Sequence, residues 1–281
     1  MKRMILTGML ALATGFIGLT AQTQSQPQGQ PQAQPPGQPQ AKIPTAKSKE
    51  EQAAVFALNS AQSDPDATIK AAEELMTKFA DTEFKELALL MEARAYQMKG
   101  DADRAQIFGE RVLEVNPKNF QAMLMVGESL VQHTRENDLD KEEKLGKSER
   151  YLNQTIDVLK TAPKPNPQLT DQQWDEARKY VTAEAHNGLG LVALTRKKFD
   201  VAIAEFKAAI QGDDQPAYEV RLASADQQAG KYDEAISTCD KVLADPQLHP
   251  QIKQVAQSIR AMAAQQKAKP PAPPQPEVKK P

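Results

Sequence analysis

Residues 188–210 read GLGLVALTRKKFDVAIAEFKAAI, and residues 222–243 read LASADQQAGKYDEAISTCDKVL. Set one under the other, Gly190 meets Ala223, Phe199 meets Tyr232, Ala202 meets Ala235 and Ile203 meets Ile236, each pair 33 residues apart. A recurrence at about 20 to 50 residues marks stacked supersecondary units. The matched positions are separated by strong helix formers with no β-branched alternation. Each unit therefore reads as two helices joined by a short turn, near residues 197–200 and 230–233. Small residues at 190, 202, 223 and 235 let the paired helices approach closely, and Phe199, Phe206 and Tyr232 fill the space beside them.

Outward from this stretch, composition divides the 281-residue chain. Residues 1–21 place Lys2 and Arg3 before an apolar run, the pattern of a secretory signal peptide with cleavage after Ala21. An uncleaved membrane anchor is the alternative, because the 18 residues of the run (4–21) approach the roughly 20 that span hydrocarbon. Residues 22–44 hold nine Gln and six Pro, too little apolar surface to offset the entropy of folding, and read as a disordered tether. The Lys/Pro-rich residues 269–281 read as a disordered tail. Twelve of the 20 prolines lie in these two ends, and the other eight fall between apolar-periodic stretches. Residues 45–268 are thus expected to fold as one all-α repeat domain of about five two-helix units, with irregular connectors near 134–143 and 163–170. Residues 171–195 read as one long helix of roughly 37 Å. Its apolar stripe runs from Trp174 through Ala177, Val181 and Ala185 to Val192, and its first half is expected to project or to pack on the Pro-rich connector 163–167. A final helix over 249–267 would cap the last pair.

A net charge of -2, a pI near 6.0 and 14 aromatic residues exclude a typical nucleic-acid binder, which needs phosphate-neutralising charge and stacking surface. The single Cys239 forms no intramolecular disulfide and reads as a small buried hydrophobe. His133, His186 and His249 have no metal-pair spacing and read as surface or satisfied histidines. Gly188-Leu189-Gly190 lies inside a helical stretch with no preceding strand, a packing feature rather than a phosphate loop. Adjacent acids such as Glu73-Glu74 and Glu142-Glu143 point roughly 100° apart on a helix and read as solvated. No catalytic residue, cofactor site or metal site is expected.

Four stretches share one residue pattern. The strongest carries Leu189-Gly190, Ala202, Phe206 and Ala209, with Lys197 where a turn glycine is usual. The next has Ala223, Gly230, Tyr232 and Ala235, with Cys239 in place of an aromatic. An earlier one has Ala93, Tyr96, Gly100, Ala105 and Pro117, with Gly109 in place of the aromatic. Another starts at Val126-Gly127 and Leu130 and departs through RENDLDKEEK. The pattern resembles the tetratricopeptide repeat family, in an exported bacterial form.

That resemblance implies a right-handed superhelical solenoid in which the first helix of each pair lines a concave groove. Carried onto this sequence, the groove positions are Arg94, Gln97, Gln121, Glu128, Gln132, Glu184, Asn187, Arg221, Gln227 and Gln228. The paired Lys and Asn of the family's carboxylate clamp are not found. The function implied is a non-catalytic scaffold of the cell envelope or periplasm that binds a peptide or partner protein in the groove. The alternatives are a self-associating assembly subunit, joined through the Trp174 helix, or an adaptor anchored in the membrane by an uncleaved N-terminus. The partner is a protein or peptide whose identity the sequence leaves open, as it does the oligomeric state.

Overall fold

The structure, a computed structural model, describes residues 44–165 and 168–269. The expected signal peptide, the tether apart from residue 44 and the tail apart from residue 269 lie outside the described residues. Within them the chain forms eleven α-helices and no strand. These are α1 Lys49–Ser60, α2 Pro65–Lys78, α3 Lys85–Met98, α4 Ala102–Val115, α5 Phe120–His133 and α6 Lys141–Leu159. They are followed by α7 Asp171–Thr195, α8 Phe199–Gly212, α9 Pro216–Gln228, α10 Tyr232–Leu243 and α11 Pro250–Lys267. Side-chain caps fix several starts: Ser48 accepts from the Glu51 amide, Asp64 from those of Asp66 and Ala67, and Asp101 from that of Arg104. Pro65, Pro216 and Pro250 each open a helix, where a missing N–H costs nothing. No helix among the described residues is long and apolar enough to cross a membrane.

The chain divides into two compact units, the first holding residues 44–129 and 154–181, the second 130–153 and 182–269 among those described. In the first unit, fully buried Leu58, Ala72, Leu75 and Ala88 join Met91 in a core shared by α1, α2 and α3. A Cβ at Gly109 of α4 would sit 2.6 Å from Val126 Cγ2 of α5, so the aromatic usual at this position has no room. The first half of α7 does not project: it packs on α5, α6 and the start of the connector, where Ala162 borders the Trp174 cluster and Lys164 pairs with Asp171 at 2.7 Å. Trp174, Ala177 and Val181 bury against Leu159, with Phe120, Leu124, Ala162 and Tyr180 around them, and the Phe120 and Trp174 ring centroids lie 6.0 Å apart. Apolar side chains of α5 and α6, with Ala162 of the connector, bury the indole. The Trp174 end of the stripe is thereby buried inside the first unit. The connector itself spans 160–170, longer than the expected 163–170, because α6 ends at Leu159.

In the second unit the loop covers 134–140, shorter than the expected 134–143. The helix α6 starts inside the polar insertion, with Glu142 and Glu143 favourable in its first turn. A Cβ at Gly188 would meet Leu152 Cδ1 at 2.8 Å, and one at Gly190 would meet the Phe206 ring at 2.5 Å. Phe206 is fully buried among Ala193, Ala202, Ile203, Leu222 and Ala225. Beyond this cluster Val220, Ala223, Cys239 and Val242 are closed over by Ala256 and Ile259 of α11, which caps the stack as expected. Burial, together with the charge of Asp240, pushes the Cys239 thiol up to about 11, so it packs as a small hydrophobe.

Three turns share one construction. The α3–α4, α7–α8 and α9–α10 turns are three residues long, and their middle residues Gly100, Lys197 and Gly230 have φ of 73°, 59° and 78°. In each, the amide after the middle residue reaches back five positions, from Asp101 to Tyr96 O, Lys198 to Ala193 O and Lys231 to Asp226 O. This is the Schellman closure, whose left-handed residue is normally glycine. Lys197 adopts the same conformation with a Cβ, at a cost of roughly 1–2 kcal/mol. Lys197→Gly is therefore expected to raise unfolding stability by up to about 1 kcal/mol, once glycine's greater unfolded-state entropy is subtracted. Urea denaturation of the two proteins checks this; a fall in midpoint would contradict it.

Candidate functional site

The expected groove residues occupy the first helices of successive pairs, but they do not share one environment. In the first unit Arg94 and Gln97 lie on α3, with Gln121 and Glu128 on α5. Arg94 is half-buried, and among the described residues it makes no hydrogen bond or ion pair; burial lowers its pKa below the usual guanidinium value. Gln97 is exposed, whereas Gln121 and Glu128 are half-buried.

In the second unit Gln132 on α5 is exposed and Glu184 on α7 is half-buried. Asn187, expected to face a partner, is only 2% exposed and accepts a hydrogen bond from Arg221 Nη1 on α9. Gln227 donates to Gln266 of α11 at 2.6 Å, and Gln228 to Ser224 Oγ at 3.2 Å. When first helices pack side by side, polar side chains between them satisfy one another, so Asn187, Arg221 and Gln227 hold the stack together instead of waiting for a ligand. Two histidines are likewise engaged: His186 Nδ1 lies 2.8 Å from Glu205 Oε2, and His249 caps α11, accepting from the Gln251 amide.

The charged cleft of about 530 Å³ near Arg196 is also internally paired. Lys141 and Lys197 both bind Glu136, at 2.7 and 3.3 Å, while Arg196 binds Glu142 at 2.9 Å and Glu149 at 2.6 Å. Glu142, largely exposed as expected of a solvated acid, also ties α6 to the residue that follows α7.

A different group stands out in the first unit. Glu92 of α3 is completely buried, and neither carboxylate oxygen has a hydrogen-bond partner. It lines a cavity of about 460 Å³ with Glu73 of α2, Lys85 of α3 and Phe108 and Arg111 of α4. Desolvation, aided by the charge of Glu73 and opposed by Arg111, pushes its carboxyl up to about 7. Arg111 is held elsewhere: its guanidinium lies 4.8 Å from the Phe108 ring centroid, and Phe108 stacks on Tyr96 at 5.3 Å. Glu73, Lys85 and Arg111 are exposed and form no ion pair among the described residues, so Glu73 is the solvated acid expected.

Sequence reasoning passed over Glu92, although a signal was present. Glu92-Ala93 occupies the register of Val126-Gly127, Leu189-Gly190 and Leu222-Ala223. The first residue of each of those pairs is buried and apolar, at 0%, 8% and 9% exposure. A carboxylate in a core slot breaks the repeat's own rule, and such breaks concentrate where function is. No group of three His, Cys, Asp or Glu gathers as a metal-ligand set among the described residues.

The buried acid makes stability depend on pH with a definite sign. Between the unfolded value near 4.5 and the folded value near 7, the folded chain holds a proton that the unfolded chain releases. Stability is therefore greatest below 4.5 and is lost as pH rises to 7, by on the order of 3 kcal/mol in total. Glu92→Gln should remove this dependence. The variant is expected to gain on the wild type from pH 5 to pH 8 by about 2–3 kcal/mol in urea denaturation. A difference that stays constant with pH would contradict this.

A tetratricopeptide-repeat family model matches residues 172–217, which hold most of α7, all of α8 and the start of α9. No curated protein matches the chain in sequence. Among solved structures, the MamA RS-1 ArsTM double mutant is similar in fold, with TM-score 0.54 and 14% identity over 74% of this chain and 97% of that one. A second MamA structure gives TM-score 0.51 and 16% identity over 69% and 90% of the two chains. A thermophilic tetratricopeptide-repeat protein of Thermus thermophilus is 24% identical over 74% of this chain and 98% of its own, with TM-score 0.47. Residues 172–217 thus match the tetratricopeptide-repeat model, and the described helices, with left-handed Schellman turns at Gly100, Lys197 and Gly230, are similar in fold to the MamA structures.

Proposed function

We propose that the chain is an exported, non-catalytic scaffold that binds an extended peptide or a partner protein along the first helices of its repeats. Tetratricopeptide repeats are protein-interaction folds, and the leading support here is Arg94. A half-buried guanidinium without a carboxylate carries a desolvation cost that no described residue offsets. A partner's carboxylate or backbone carbonyl would recover that cost. Gln97, Gln121 and Glu128 extend the same surface in the first unit, and Gln132, Glu184 and Gln228 provide polar contacts in the second. Asn187, Arg221 and Gln227 leave the proposed contact set because the fold already uses them.

Export rests on the basic start and apolar run of residues 1–21, with residues 22–44 as a tether between the cleavage point and the repeats. Self-association through α7 has no support, since Trp174 is buried within its own unit.

A photocrosslinking side chain in place of exposed Gln97, one turn from Arg94, is expected to give a discrete protein adduct in intact cells. Adding Arg94→Glu should reduce the adduct about tenfold, the loss expected for a desolvated charge contact of roughly 1.4 kcal/mol or more. An adduct that survives the charge reversal would remove Arg94 from the recognition surface.

A further inference from the structure

Beyond the groove, the geometry points to a second site: the cavity over Glu92 binds a primary ammonium group. The packing does not call for an acid here, because Val126, Leu189 and Leu222 fill the equivalent slot with hydrocarbon. What the acid adds is a pair of buried oxygens, without a hydrogen-bond partner among the described residues, on a residue that lines a cavity of about 460 Å³. Glu73 contributes a second carboxylate close enough to disfavour ionisation of Glu92. Glu73 is itself exposed, and a cation seated between the two carboxylates relieves their repulsion.

The other residues define the kind of cation. Met76, Phe79 and Phe108 line the cavity with apolar surface suited to a methylene chain. Glu92, Glu73 and Thr77 are three lining residues that carry acceptor oxygens, which suits the three donors of an ammonium head better than the planar fork of a guanidinium. Neither resident cation fills the role. Arg111 lies over Phe108, and Lys85 makes no ion pair among the described residues. Lys85 is left to receive an acidic or carbonyl group that accompanies the ammonium.

Binding requires ionised Glu92, so an entering ammonium expels the proton that burial retains, and affinity weakens as pH falls below about 7. The charged groups that set this balance are Glu73 from α2, Lys85 from α3 and Arg111 from α4. The same head group can arrive on a free alkylamine or on a lysine side chain of a polypeptide.

The test uses the full mature chain with n-butylammonium chloride, and tetramethylammonium chloride at equal ionic strength as the control that cannot donate hydrogen bonds. The Glu92 carboxyl is followed by carbon NMR, assigned by its disappearance in Glu92→Gln, and affinity by calorimetry. Butylammonium is expected to lower the Glu92 midpoint by about one pH unit or more and to bind about tenfold tighter at pH 8 than at pH 6. Glu92→Gln should weaken binding about tenfold or more while its circular dichroism is unchanged. Nα-acetyl-lysine N-methylamide distinguishes the sources: about tenfold tighter binding than butylammonium assigns a polypeptide lysine, and equal or weaker binding a small amine. A midpoint that butylammonium leaves in place, or that tetramethylammonium moves equally, would overturn the proposal and leave water as the carboxyl's only partner.

Discussion

Phe206 occupies the space that any side chain at position 190 would need, and the rest of the second unit is arranged around that fact. An aromatic ring with no exposed surface can lie against a helix backbone only where the residue beneath it has no Cβ. Interiors packed to crystal-like density leave no slack for even one methyl group. Leu152 over Gly188 and Val126 over Gly109 use the same device, the latter in the first unit. The close approach brings second helices onto first helices, and three pairs, α3–α4, α7–α8 and α9–α10, are closed by three-residue turns with one left-handed residue each.

This constraint made much of the fold readable. Close approach demands small residues at fixed offsets, and a left-handed turn demands glycine or a strained substitute. Both leave marks at a period of 33, which is how Lys197 could be placed in a glycine position without coordinates. The limits of α7 were legible too, since Thr170 and Arg196 bracket one unbroken apolar stripe. What the stripe could not disclose was its partner. Periodicity reports that Trp174 is buried, but not that Phe120 and Leu159 bury it. Asn187 shows the complementary blind spot: a polar residue on a first helix reads as wet until the neighbouring Arg221 is seen to reach it.

The candidate sites were legible to different degrees. Arg94 was reached through the repeat register, which places it on the outward side of α3. Glu92 is only two residues earlier, roughly 200° around the same helix, and faces α2 and α4 instead. A search for reactive acids by adjacency led to Glu73-Glu74 and Glu142-Glu143, because adjacency is visible in sequence and inwardness is not. Comparison of Glu92 with its equivalents Val126, Leu189 and Leu222 would have exposed it. One helix thus carries an unpaired cation on one side and an unpaired acid on the other, whereas the charges around Arg196 neutralise each other.

If helix-to-helix approach through glycine organises the stack, positions 190 and 206 must be energetically coupled, and a double-mutant cycle measures this directly. Gly190→Ala alone is expected to cost about 1–3 kcal/mol by overpacking, and Phe206→Leu alone to lose stability by leaving a cavity. Together they should recover about 1 kcal/mol or more of the summed losses, because the smaller leucine vacates the space the new methyl takes. Losses that add to within about 0.5 kcal/mol would show that the two residues do not interlock, and would contradict the packing on which the fold account is built.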